Sequence, residues 1–198
     1  MKQNTSFSIL SLLSLLVGLI ILILANPNAS QELENLPLTA FNLDGINLHM
    51  PTVFFIYVLP GLCIVIFAIN LFRSKMENFV LGKISKTAIL FSGCLWILFG
   101  LMSYSPFTEN QYSKIVLLTL VFLVLIFCIL LFFGISLNFI CKKKTPFYIT
   151  LAAFAIVFIM TFLSLFVFDD ITWIRTNLSI LVFFIWLVPL GYWFDKVM

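Results

Sequence analysis

The stretch IVLLTLVFLVLIFCILLFFGISLNFI, Ile115 to Ile140, contains no charged residue. A helix needs about 20 mostly apolar residues to cross about 30 Å of hydrocarbon. This run exceeds that length, and it is apolar all round rather than along one stripe. That pattern suits a helix surrounded by lipid, where no water can satisfy an exposed backbone. Lys114 precedes the run, and Cys141-Lys142-Lys143-Lys144 follow it.

Five similar runs lie on either side. The six predicted spans cover approximately 7–24, 52–72, 86–104, 115–140, 147–168 and 172–194. The whole composition agrees: 63% of the 198 residues are hydrophobic and 10% are charged. A soluble domain carries about 25% charged residues, and one this apolar would expose large aggregating patches. The predicted fold is all-α, a polytopic transmembrane helical bundle of about six spans forming one integral membrane domain, 1–198. The first run exceeds the usual signal-peptide core of about 7–15 residues and reads as an uncleaved first helix.

Charge sets the expected orientation. Lys2, Arg73, Lys75, Lys83, Lys86, Lys142, Lys143, Lys144 and Lys196 fall on one side if spans alternate. Lys114 and Arg175 fall on the other. Basic residues resist translocation, so the first side is predicted to be cytoplasmic, with both termini there. The net charge of +3 therefore follows from topology, and no nucleic-acid partner is expected. Segment 25–51 becomes an outer loop, punctuated by Pro27, Pro37 and Pro51; a short interfacial helix or hairpin is expected there. The membrane is expected to be a prokaryotic inner or plasma membrane.

Chemistry has few places to reside. No Asp, Glu, Lys, Arg or His falls in the centre of a predicted span. Such residues are costly there and mark proton relays, coupled transport and voltage sensing, so those mechanisms are disfavoured. The single histidine, His49, cannot supply paired haem ligands or a multi-histidine zinc site. Cys63, Cys94, Cys128 and Cys141 show no CxxC spacing and lie in no outer loop. No cofactor, metal or disulfide is expected. Polar residues do collect on the outer side: Asp44, His49, Glu109, Asp169, Asp170 and Arg175. They form the candidate site, in which Arg175 is expected to seek a carboxylate or phosphate. Asp170 is the nearest partner in sequence and Glu109 the alternative.

Within the spans, Ser14-x-x-x-Gly18 permits close helix approach, and Pro60-Gly61 and Pro189 predict kinks. Trp96 and Trp186 lie deep and should face other helices. Asn70, Ser92, Ser103, Thr119, Ser136, Asn138, Thr161, Ser164, Asn177 and Ser179 are the weakly polar residues within the spans, expected to hydrogen-bond between helices.

Phe99-Gly100 leads to the turn Pro106-Phe107-Thr108-Glu109, and Asp169-Asp170 leads to Arg175, with Trp186 further on. This order resembles a family of prokaryotic six-span membrane proteins, domain of unknown function 998. The resemblance implies six spans with a long outer segment before the second, and it implies no activity. One departure is Tyr112-Ser113, where the family layout places a histidine at the start of the fourth span. The leading functional expectation is a non-enzymatic bundle that binds membrane lipids, a protein partner or a second copy of itself. The alternatives are a small transporter or permease component, and a membrane enzyme built on the outer carboxylates.

Overall fold

The computed structural model describes residues 3–25, 50–72, 80–102, 109–140, 144–166 and 172–197. Every described segment is helical, and there is no strand among the described residues. In chain order, α1 is Gln3–Ala25. Helix α2 starts as Met50–Val53, widens to a π-helix at Phe54–Val58 and continues as Leu59–Phe72. Helices α3, α4, α5 and α6 are Val80–Met102, Glu109–Ile140, Thr145–Phe166 and Thr172–Val197. All six are long and apolar enough to cross a membrane. The predicted interfacial structure within 25–51 lies outside the described residues, apart from the ends of α1 and α2.

Several helices begin earlier than the apolar runs. Lys83, outside the predicted third span, and Lys86, its first residue, both lie within α3, and Lys86 is 0% exposed. Asp195, read as lying beyond the last span, is inside α6 and only 7% exposed. Apolar length marks where hydrocarbon begins. Helical hydrogen bonding continues past that point into polar turns, so the two boundaries differ.

Each helix packs on its neighbours in sequence, and α1 packs on α6 to close a ring. The middle of the ring is filled by aromatic side chains. Trp96 of α3 lies 5.8 Å from Tyr57, 5.2 Å from Phe122, 5.2 Å from Phe184 and 6.0 Å from Phe99, between ring centroids. All five rings are fully buried. The surface has the opposite character. Ile20, Phe91, Leu117, Val124 and Ile185 are all more than half exposed.

Helix α1 shows how this is written in sequence. Its buried face is Asn4, Ser8, Ser11, Ser14, Leu15, Gly18 and Leu22, while Leu13, Ile20 and Leu24 face outward. Small residues go inward, because backbone proximity drives packing where lipid already solvates large apolar side chains. A Cβ on Gly18 would sit 2.6 Å from Ile56 Cγ1 and 2.9 Å from the Ile56 nitrogen. The small-x-x-x-small spacing thus marks a real point of contact.

The π-helix answers a specific deficit. Leu59 N–H donates to the carbonyl of Phe54, five residues back. Pro60 follows and has no N–H, so the carbonyls of Ile56 (four back) and Phe55 (five back) lose their donor. Other helices supply it. Trp96 Nε1 donates to the Ile56 carbonyl at 2.8 Å, and Ser14 Oγ donates to the Phe55 carbonyl at 2.7 Å. Ser11 Oγ reaches the Pro60 carbonyl at 3.3 Å. The Pro60-Gly61 irregularity is therefore held by α1 and α3.

Most other buried hydroxyls stay local. Ser92 donates to the Ile89 carbonyl at 2.7 Å, Thr119 to Ile115 at 2.7 Å, Ser136 to Phe132 at 2.8 Å and Ser179 to Arg175 at 3.0 Å. At these four positions the hydroxyl donates to a carbonyl of its own helix, whose second lone pair is the nearest acceptor.

Candidate functional site

Of the six candidate site residues, Arg175 is the one whose side chain is described. It lies in the first turn of α6, half-buried, and its Nη1 donates to the Leu163 carbonyl at 3.4 Å. Leu163 is in the last turn of α5, where carbonyls lack helical partners and the dipole is negative. The guanidinium thus meets one of its acceptors on α5. Glu109 opens α4, and its side chain lies outside the described set. Asp44, His49, Asp169 and Asp170 also lie outside the described residues. The convergence expected from sequence has only its arginine in view.

At the opposite end, α1 begins and α6 ends. Asp195 of α6 accepts from the Asn4 N–H at 3.1 Å, the Thr5 N–H at 2.8 Å and the Thr5 hydroxyl at 2.6 Å. The carboxylate caps α1 from another helix, satisfying amides with no helical acceptor and facing the positive end of the dipole. Gly191, one turn earlier, makes room. A Cβ there would lie 2.5 Å from Ser8 Oγ and 2.8 Å from the Asn4 carbonyl oxygen. The start and end of the described chain are therefore joined. This clasp was missed from sequence because Asp195 sits among residues that read as a solvated helix end. Its position in the last turn, after the aromatic pair Trp193-Phe194, was the available signal.

Replacement of Asp195 by alanine is expected to lower stability by about 1–2 kcal/mol, the usual range for a lost N-cap. Thermal unfolding in a neutral detergent would measure it, with Asp195→Asn keeping part of the effect. An unchanged midpoint for Asp195→Ala would contradict the clasp.

Between α5 and α6, near the same end, lies a groove of about 480 Å³. Ten residues line it: Thr145, Pro146, Ile149 and Thr150 from α5, and Trp186, Pro189, Leu190, Tyr192, Trp193 and Lys196 from α6. The floor is fixed. Trp186 Nε1 donates to Thr150 Oγ1 at 2.9 Å, and that hydroxyl donates to the Pro146 carbonyl at 2.9 Å. Phe133 and Phe183 brace the Trp186 ring at 5.8 Å and 6.0 Å. Ile149 at 40% exposure and Tyr192 at 58% show that the groove opens on the bundle surface.

The rim is a row of donors. It carries the Thr145 and Tyr192 hydroxyls, the Trp193 indole N–H and the Lys196 ammonium, which lies 5.8 Å from the centroid of the Tyr192 ring. Among the described residues, no acidic side chain lines the groove. The neighbouring Lys144 is engaged elsewhere, donating to the Asn138 carbonyl at 2.6 Å and to Asn138 Oδ1 at 2.9 Å near the end of α4. That Pro146 and Pro189 line one groove follows from the packing of α5 on α6, which no residue spacing reveals.

Among the described residues, no group of three or more His, Cys, Asp or Glu side chains is placed to hold a metal. Cys63 is buried, Cys94 exposed and Cys128 half-buried, and all three are free thiols. Comparison of the chain with protein-family models, with curated proteins and with solved structures finds no match.

Proposed function

We propose that this protein is a multi-pass component of a prokaryotic plasma membrane, with both termini cytoplasmic, and that it binds lipid without catalysing a reaction. The observation that carries this reading is the α5–α6 groove. It is apolar along its floor, polar at one end and open on a face that is itself apolar. A molecule entering from that face must be amphipathic, with its polar part at the depth of Tyr192, Trp193 and Lys196. Tyrosine and tryptophan favour headgroup depth, and lysine reaches toward it. The cytoplasmic side follows from the basic residues, which resist translocation.

Transport is the weaker reading. A solute path along the ring axis would have to separate Trp96 from Phe122 and Phe184, and those rings are fully buried against one another. No second observation favours the outer carboxylates as a catalytic site.

Replacement of Ile149 by tryptophan places a large ring over the groove from a residue that is 40% exposed, so the bundle should still fold. Purification in mild detergent followed by mass spectrometry of retained lipid should show bound lipid in the wild type and at least a fivefold lower occupancy in Ile149→Trp. Equal lipid retention in both, or none in the wild type, would overturn the proposal.

A further inference from the structure

We infer that the occupant of the α5–α6 groove is an anionic glycerophospholipid, with an acyl chain along Ile149, Pro189 and Leu190 and its phosphate held by Lys196. This deepens the lipid-binding reading and rests on it.

The charge balance of the site decides the headgroup class. Among the described residues, the groove offers donors at its rim and no carboxylate within its lining. Asp195, beside Lys196 in sequence, is committed to the amides of Asn4 and Thr5 on α1. A headgroup bearing a choline or an ethanolamine would bring a cation to a site whose described lining holds a lysine and no carboxylate. A headgroup with net negative charge meets Lys196 directly. The Tyr192 hydroxyl, the Trp193 N–H and the Thr145 hydroxyl can then donate to its phosphate and ester oxygens. A lysine near a membrane surface contributes about 1 kcal/mol toward an anionic lipid.

Geometry fits an acyl chain below that headgroup. From Lys196 to Trp186 the groove follows ten residues of α6, about 15 Å at the helical rise. The floor beyond the rim has its polar atoms already matched, since Trp186, Thr150 and Pro146 satisfy one another. Pro146 and Pro189 carry no N–H, so neither proline presents an unmet donor to hydrocarbon. With the Trp186 and Thr150 donors matched, the floor presents mainly apolar surface to such a chain.

The test uses the full chain in neutral detergent, stripped of lipid and titrated with phosphatidylglycerol or phosphatidylcholine of identical acyl chains, read by native mass spectrometry. The wild type should prefer phosphatidylglycerol by about fivefold. Lys196→Gln should lose that preference, whereas Lys83→Gln, which removes an exposed lysine of α3, should keep it. Glycerol phosphate without acyl chains should fail to compete. A preference undiminished in Lys196→Gln, or equal binding of the two lipids by the wild type, would overturn the anionic assignment. If Ile149→Trp still abolished binding in that case, the general lipid-binding reading would survive. If Ile149→Trp bound both lipids as tightly as the wild type, both proposals would fall.

Discussion

Alanine at position 93 should destabilise the bundle by about 2 kcal/mol, the middle of the range for overpacking a tight interface. A Cβ on Gly93 would lie 2.9 Å from Val65 Cγ2 and 3.0 Å from both the Gly61 carbonyl oxygen and the Val65 nitrogen. The contact is reciprocal, since a Cβ on Gly61 would lie 2.9 Å from the Gly93 carbonyl oxygen. Two of the three atoms around Gly93 are backbone, so no side-chain rotation relieves the clash. Helices α2 and α3 would have to move apart, giving up the close approach on which membrane helix packing depends. Gly134 provides the contrast. Its added Cβ would meet only Thr150 Cγ2, at 3.4 Å. Gly134→Ala should be neutral or slightly stabilising, since alanine favours a helix by about 1 kcal/mol over glycine. Unfolding in detergent of the two variants side by side reads this directly. Similar losses from both would contradict the proposed glycine contact between α2 and α3.

The second large effect concerns the irregular turn of α2. Trp96→Phe should cost about 2–3 kcal/mol, because it strands a buried carbonyl that the indole N–H now satisfies. The acceptor is the Ile56 carbonyl, which is open because residue 60 is proline. Pro60→Ala returns an amide to that position. The combined variant Trp96→Phe with Pro60→Ala should therefore be less damaged than the two single losses predict. A coupling of about 1 kcal/mol is expected, within the range for residues sharing one interaction. Strict additivity would show that Trp96 contributes only its ring volume and that the link to Pro60 is incidental.

The sequence and the structure agree most where hydrocarbon alone decides. Six long apolar runs become six helices because no other secondary structure satisfies its backbone within so short a segment. Ser14, Gly18, Pro60 and Trp96 were each conspicuous in the sequence. Their convergence on one irregular turn depends on which helices are neighbours, and no residue spacing reveals that. Helix ends were harder to read. Lys86 and Asp195 look like flanking charges in a hydropathy scan, yet both are buried within helices. The groove was invisible for a similar reason. Pro189 and Trp186 were conspicuous as a kink and a deep ring, but only the packing of α5 on α6 brings them together with Pro146 and Lys196.

Arg175 donates to a main-chain carbonyl at the end of α5; the carboxylates expected to partner it, Asp170 and Glu109, have side chains outside the described residues. Lys144 near the end of α4 and Asp195 at the start of α1 follow the same electrostatic logic. Cations sit at helix C-termini and a carboxylate at an N-terminus, where each opposes the local dipole.

The proposed topology has six helices crossing a bilayer, with the start of α1 and the end of α6 on the cytoplasmic face. Single cysteines at Ser30 and Lys143, each introduced into a chain whose native cysteines are replaced by serine, can be probed in intact cells with a membrane-impermeant maleimide. Ser30→Cys should be labelled from outside, and Lys143→Cys only after the membrane is permeabilised. Labelling of both in intact cells, of neither until permeabilisation, or in the reverse order would contradict the account.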